Sequence, residues 1–225
     1  MPENTPPRES ASPALTALIA AALGALALAG CGLSARPYPL VRTFTLDPSV
    51  PQAVEGGGVK RPTASLIVTA SPPPGAYEGR KLVYMLKSRE LSADFYNELS
   101  APPARALADG ISKRLELSEP GILVVRTQGA REPDWALEIS LLDIFGDLSR
   151  EGAFAAQIAL TATLSDMRRP NPRPAYARDF VMSIPIAQEP DESRAEALVK
   201  AYSDGISRIA EELRPEIRRI VHGRR

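Results

Sequence analysis

Residues 14–29 are sixteen consecutive uncharged residues, mostly Ala and Leu, and the run ends at Gly30-Cys31, the only cysteine in 225 residues. This feature constrains the chain more than any other. The segment up to Gly30 has the properties of an address, and the chain beyond it must fold without a disulfide. A membrane-spanning helix takes about 20 apolar residues, whereas shorter runs suit the core of a secretory signal peptide. Small residues at the end of the run supply the cleavage site such a peptide needs. The leading segment departs from the pattern: Glu3, Arg8 and Glu9 leave it without the usual basic excess. An uncleaved, slightly short anchor is the alternative.

Leu28-Ala29-Gly30-Cys31 resembles the lipobox of bacterial lipoproteins. The resemblance implies that Leu28, Ala29 and Gly30 are recognised by the signal peptidase and that cleavage falls just before Cys31. It further implies that Cys31 carries a covalent diacylglycerol and an N-acyl lipid. Gly32 comes next, where an aspartate would resemble the inner-membrane retention class, so the outer membrane is the expected destination. The expected organisation is a cleaved signal peptide (1–30), a lipidated tether (31–40) and a single domain (41–225). A lipidated Cys31 leaves no second thiol for a disulfide in an oxidising compartment, so stability must come from a packed core. The remaining 195 residues suffice for one. Losing Arg8 takes the basic count from 27 to 26, and losing Glu3 and Glu9 takes the acidic count from 27 to 25. A net charge of +1 gives no field to attract nucleic acid.

The domain reads as alternating short strands and two helices. Val41–Leu46, Ala64–Ala70, Leu82–Leu86, Ile122–Val125 and Tyr176–Ile184 have strand character, with a further short extended piece at Phe95-Tyr96. Trp135–Phe145 is a longer strand. Its apolar parity switches at Leu141-Leu142, which predicts a β-bulge or burial on both faces. From Phe154 to Ser165 apolar and polar residues alternate in register, the mark of a hairpin arm with one face on the core. Pro102-Pro103 open a helix with Ala104, Leu107, Ala108, Ile111 and Leu115 on one stripe. A final helix, capped by Asp191 or Ser193, carries a stripe from Leu198 through Ile220, and Pro215 is expected to kink or split it. The predicted fold is α+β: a largely antiparallel sheet of about six or seven strands with two amphipathic helices on one face. Gly56-Gly-Gly58 lacks the Lys-Ser or Lys-Thr of a phosphate loop and is read as flexible.

The order of these motifs resembles the ABC-type transport auxiliary lipoproteins, the PqiC/YmbA-like group. The resemblance runs from the lipobox through Phe44-Thr45-Leu46, Leu82-Val83-Tyr84, Phe95-Tyr96 before Ala101-Pro102-Pro103, and Leu137-Glu138 to Phe145, ending on the alternating strand and long helix. Many members carry a tryptophan shortly before the Pro-led helix, where this chain has Leu99. The family implies a non-enzymatic docking component of an MCE-type ABC transporter that moves lipids across the periplasm. Its partner would be a periplasmic MCE-domain protein, and its seat the inner leaflet of the outer membrane. A homo-oligomeric ring would suit docking on a symmetric tunnel.

Catalytic parts are few. His222 is the only histidine, which removes a Ser-His-Asp triad, and it is expected to be exposed near the end of the last helix. Zinc lacks ligands, so no metal is expected. Asp143, Asp147, Glu151 and Asp166 are read as solvated turn residues, and Arg168, Arg169 and Arg173 as a solvated run. No catalytic residue is expected. Phe95, Tyr96 and Trp135 are the aromatic side chains most able to anchor a partner. The alternative function is a lipoprotein that itself binds or carries a lipid, and a hydrolase is the weakest reading.

Overall fold

In the computed structural model, residues 40–48, 62–126, 132–187 and 189–223 are described. Leu28–Cys31, most of the tether and Gly56–Gly58 lie outside them. The described residues all belong to one unit that begins at Leu40. Its elements are β1 (Arg42–Phe44), β2 (Ala64–Ala70), β3 (Lys81–Met85), β4 (Leu91–Leu99), α1 (Pro103–Ser118), β5 (Ile122–Val125), β6 (Trp135–Asp147), β7 (Ala155–Asp166), β8 (Pro174–Pro185) and α2 (Arg194–Gly223). The fold is α+β, with eight strands in one open, mostly antiparallel sheet.

The sheet grows from β6. Its strict partner is β7, paired antiparallel from Trp135↔Asp166 to Asp147↔Ala155, and β7 in turn pairs with β8. The register slips between Leu141 and Asp143, where the parity switch places a bulge. On its other edge β6 has two neighbours at different heights. Its first half lies parallel to β2, which continues to β5, and its last residues lie parallel to β3. The antiparallel pair β3–β4 then carries the sheet to β1, which runs parallel to β4. The alternation of single strands does not reveal these short parallel pairings.

Both helices cover one face: α1 lies across β2, β5 and β6, and α2 across β7 and β8, with the two helices in contact. Every member of the α1 stripe and of the Leu198–Ile220 stripe is buried. Gly205 lets α2 press onto the sheet, since a Cβ there would sit 2.6 Å from Ile158 Cδ1 and 2.9 Å from Ile184 Cδ1. The cap of α2 is Ser193. Its hydroxyl accepts from the Glu196 N–H, while the Glu196 carboxylate accepts from the Ser193 N–H and hydroxyl, closing a reciprocal box. Pro215 does not split α2. It lies on the exposed side, while Leu213 and Ile217 on the packed side are fully buried and hold both segments to the core.

Ion pairs tie the two helices together at their far ends. Glu119, buried just after α1, accepts from the guanidinium of Arg218 through both oxygens, at 2.6 and 3.0 Å. Arg114, also buried, donates to Glu211 at 2.6 Å. Buried charge of this kind is held only when paired, and here each member has its partner on the opposite helix.

Candidate interaction surface

The three aromatic candidates separate. Trp135 opens β6 and is fully enclosed, with the Arg168 guanidinium 4.9 Å from its ring centroid. A ring with no accessible surface offers nothing to a partner, which corrects its assignment as a contact. It stands at an inward position, in register with Leu66 and Asp166, and nothing in the local sequence tells an inward tryptophan from an outward one. Phe95 and Tyr96 lie on the surface, 75% and 47% exposed.

Their exposure has a local cause. In the β3–β4 pair, Val83 faces Ala93 and Lys81 faces Glu98, so β4 advances five residues while β3 advances two. The extra residues bulge outward and carry Phe95 and Tyr96 with them. Asp94 fixes this bulge. Its carboxylate accepts from the backbone N–H of Tyr96 at 2.8 Å, from that of Asn97 at 3.1 Å and from Asn97 Nδ2 at 2.9 Å. The ladder bonds lost in the bulge are thus replaced by a side chain, the usual use of aspartate in turns. The Lys81 ammonium sits 4.8 Å from the Phe95 ring centroid. Sequence reading singles out the aromatic pair but gives neither its exposure nor the bulge, since the bulge's signal, an Asp two residues before the amide it holds, also fits an ordinary turn.

The acidic residues near the β6–β7 hairpin do not converge. Asp143 accepts from the Tyr77 hydroxyl at 3.1 Å; burial, and then that bond, push the Tyr77 pKa up to about 12. Asp147 accepts from the Ser149 N–H, and Glu151 pairs with Lys87. Asp166 lies at the opposite end of β7 and is buried. A two-pronged hydrogen bond from the Arg168 side chain, aided by the Arg168 N–H, holds its pKa down at about 2. Asp166 is therefore a buried structural anion and not a solvated turn residue, and Arg168 is its partner. Among the described residues no group of three or more His, Cys, Asp or Glu side chains could hold a metal. His222 is half-buried, with Nδ1 3.3 Å from the Thr63 hydroxyl and its ring beside Gly121, so it packs against the end of β2 and is not a free surface residue.

Two surface concavities have volumes of about 430 and 470 Å³. The first, between α1 and strands β2 and β5, is lined by Leu46, Val68 and Val125 together with Asp47, Arg105, Asp109, Lys113 and Arg126, and the second by Lys87, Arg150, Glu151 and Arg194 together with Phe154 and Ile186. Most of the space between helices and sheet is filled by fully buried side chains such as Leu66, Leu107, Ile111, Leu137 and Ile139. Among the described residues no helix is long and apolar enough to cross a membrane.

No protein-family model matches the chain, and no curated protein sequence matches it. Solved structures do. Protein XCC0632 from Xanthomonas campestris, of the family model DUF330, is 18% identical, with 81% of this chain and 96% of that one covered and a TM-score of 0.60. An uncharacterized protein is 14% identical over 79% of this chain and 99% of its own, with a TM-score of 0.54. These two share the fold of this chain. Lipoprotein GNA1162 from Neisseria meningitidis is a looser match, 15% identical over 66% of this chain and 99% of its own, with a TM-score of 0.31.

Proposed function

We propose that the chain is a lipid-anchored, non-enzymatic lipoprotein of the bacterial envelope, on the periplasmic face of the outer membrane, that docks an MCE-type ABC transporter moving lipids. The observation that carries this reading is Leu28-Ala29-Gly30-Cys31 at the end of the apolar run, in front of a domain with the motif order of the auxiliary lipoproteins. The fold shared with the DUF330 protein is in keeping with it. The anchor is the covalent lipid on Cys31; each acyl CH₂ buried adds about 0.8 kcal/mol of membrane affinity, so two or more chains hold the domain in place. The partner is the periplasmic MCE-domain protein, and docking leaves room for a ring of several copies.

Docking is favoured over carriage of a lipid by the interior. A carrier needs an enclosed apolar cavity, whereas the core between helices and sheet is close-packed and the concavity beside α1, although Leu46, Val68 and Val125 line it, also has Asp47, Arg105, Asp109, Lys113 and Arg126 in its walls.

The test is Cys31→Ser in the full-length precursor. Wild type is expected in the membrane fraction with a diacylglyceryl mass on its N-terminal peptide, and the variant uncleaved and without that mass. A variant processed and membrane-bound like wild type overturns the anchor. Capture of the MCE-domain partner by the wild-type protein tests the docking role, and no association at micromolar concentration overturns it.

A further inference from the structure

Two strand ends meet at the outer edge of the sheet. The β4 bulge pushes Phe95 and Tyr96 into solvent, and β1 runs parallel beside it, with Arg42 opposite Asn97. Going back along β1 from that pair, the chain passes Val41 and Leu40, which are 52% and 88% exposed. Four exposed large apolar side chains thus lie close together along the paired strands at one corner. Monomeric surfaces seldom cluster apolar side chains in this way without an occupant.

The chain outside the described residues says what the occupant is. Only the eight residues 32–39 separate Leu40 from Cys31. The nine steps from Cys31 to Leu40 span at most about 32 Å, less than the width of about 40 Å expected for a domain of this size. A lipidated Cys31 therefore holds this corner within about 32 Å of the bilayer and lets it reach the surface with the tether slack.

We propose that Leu40, Val41, Phe95 and Tyr96 form a membrane-contact patch that seats this corner of the domain on the phospholipid interface. This rests on the lipoprotein reading above. Aromatic side chains favour the boundary between head groups and acyl chains, where the ring is in an apolar layer and a hydroxyl such as that of Tyr96 reaches water. Lys81, held over the Phe95 ring, is placed to meet lipid phosphates. The one carboxylate inside the bulge, Asp94, is turned to the bulge's own N–H groups, from which it accepts three hydrogen bonds. With the patch on the membrane, the strands on the opposite side of the sheet are left facing the periplasm, which is where a transporter partner arrives.

The experiment uses the full-length lipidated protein reconstituted in vesicles of phosphatidylethanolamine and phosphatidylglycerol with brominated acyl chains. A tryptophan is placed in the patch by F95W and, as control, on β8 by V181W, where the native side chain is 79% exposed. β8 lies four strands from β4 through β3, β6 and β7. Trp135 is buried and gives both variants the same background. The F95W signal is expected to shift to the blue and to be quenched several-fold more than that of V181W. Equal quenching in vesicles that carry the protein on flotation overturns the patch and leaves the anchor standing. Vesicles that fail to carry the protein remove the anchor and the patch together. A blue shift of F95W without extra quenching means that a second copy or a protein partner covers the corner, and also overturns the proposal.

Discussion

β7 and β4 are both long strands of the same sheet, and they are held by opposite means. Along β7 every second residue is buried, from Ala156 through Leu164, under α2. Burial alone sets its register, because a slip of one residue would turn the whole apolar set to solvent. Along β4 the order is inverted in the middle: Asp94 is half-buried, whereas Phe95 and Tyr96 are exposed. Register there is broken by the bulge and maintained by a carboxylate bonded to backbone. The first strand exists for the core. The second gives up core burial to present a surface, which is what a site of contact requires.

Mutations should sharpen that contrast, and the largest effect is expected on β7. Leu160→Ala removes a fully buried side chain and should cost about 3 kcal/mol in a urea titration. Phe95→Ala, on the exposed bulge, should change stability by no more than about 0.5 kcal/mol in the same titration. Similar losses in both would erase the distinction between them.

Asp94→Ala should fall between these, at about 1–2 kcal/mol, since it removes three acceptor bonds at once from a partly buried turn. The more telling readout is amide hydrogen exchange. Exchange at Tyr96 and Asn97 should quicken while Ile158 and Leu160 stay protected. Uniform quickening would mean that the bulge and the core unfold as one.

A separate effect, at the opposite end of the sheet's core, is expected from pH. Asp166 sits at the β6–β7 end of the sheet, away from the bulge, and its folded pKa of about 2 lies below the ordinary aspartate value of about 3.9. A depressed carboxylate contributes stability that is complete above the unfolded pKa and is lost as pH falls through the folded one. Stability should therefore decline between about pH 4 and pH 2. Glu196, also held at about 2 by the Ser193 hydroxyl and N–H and then by Arg42, adds to the same window. Asp166→Asn should flatten the decline in part, leaving the share of Glu196. An unchanged acid profile in that variant would remove Asp166 from the account.

Several particulars are legible in the linear chain. The bulge at Leu141-Leu142 stems from a parity switch that only a bulge or two-sided burial can produce, and the register slips there. The α1 and α2 stripes, the Ser193 cap and the β7 alternation arise from periodicities that the backbone itself imposes. The candidate surface is half legible: of the three aromatic candidates, Phe95 and Tyr96 do lie at the surface and Trp135 does not. All three are large aromatic residues in strands, and composition does not distinguish a ring facing the helices from one facing water. That depends on the strand's neighbours.

The sequence by itself determined most of the elements. Sixteen uncharged residues ending at a single cysteine, two amphipathic helices and a set of alternating strands all arise from local order along the chain. The tertiary structure decided the pairings that are remote in sequence. It put β6 between β7 on one side and both β2 and β3 on the other, gave His222 a place against β2, and joined the helix ends through Glu119–Arg218 and Arg114–Glu211. It also brought Leu40 and Val41 beside Phe95 and Tyr96. The physical reason is the same in each case. Local propensity fixes what an element is, but which element lies beside it depends on packing and hydrogen bonds between residues tens of positions apart, and no window along the chain contains both partners.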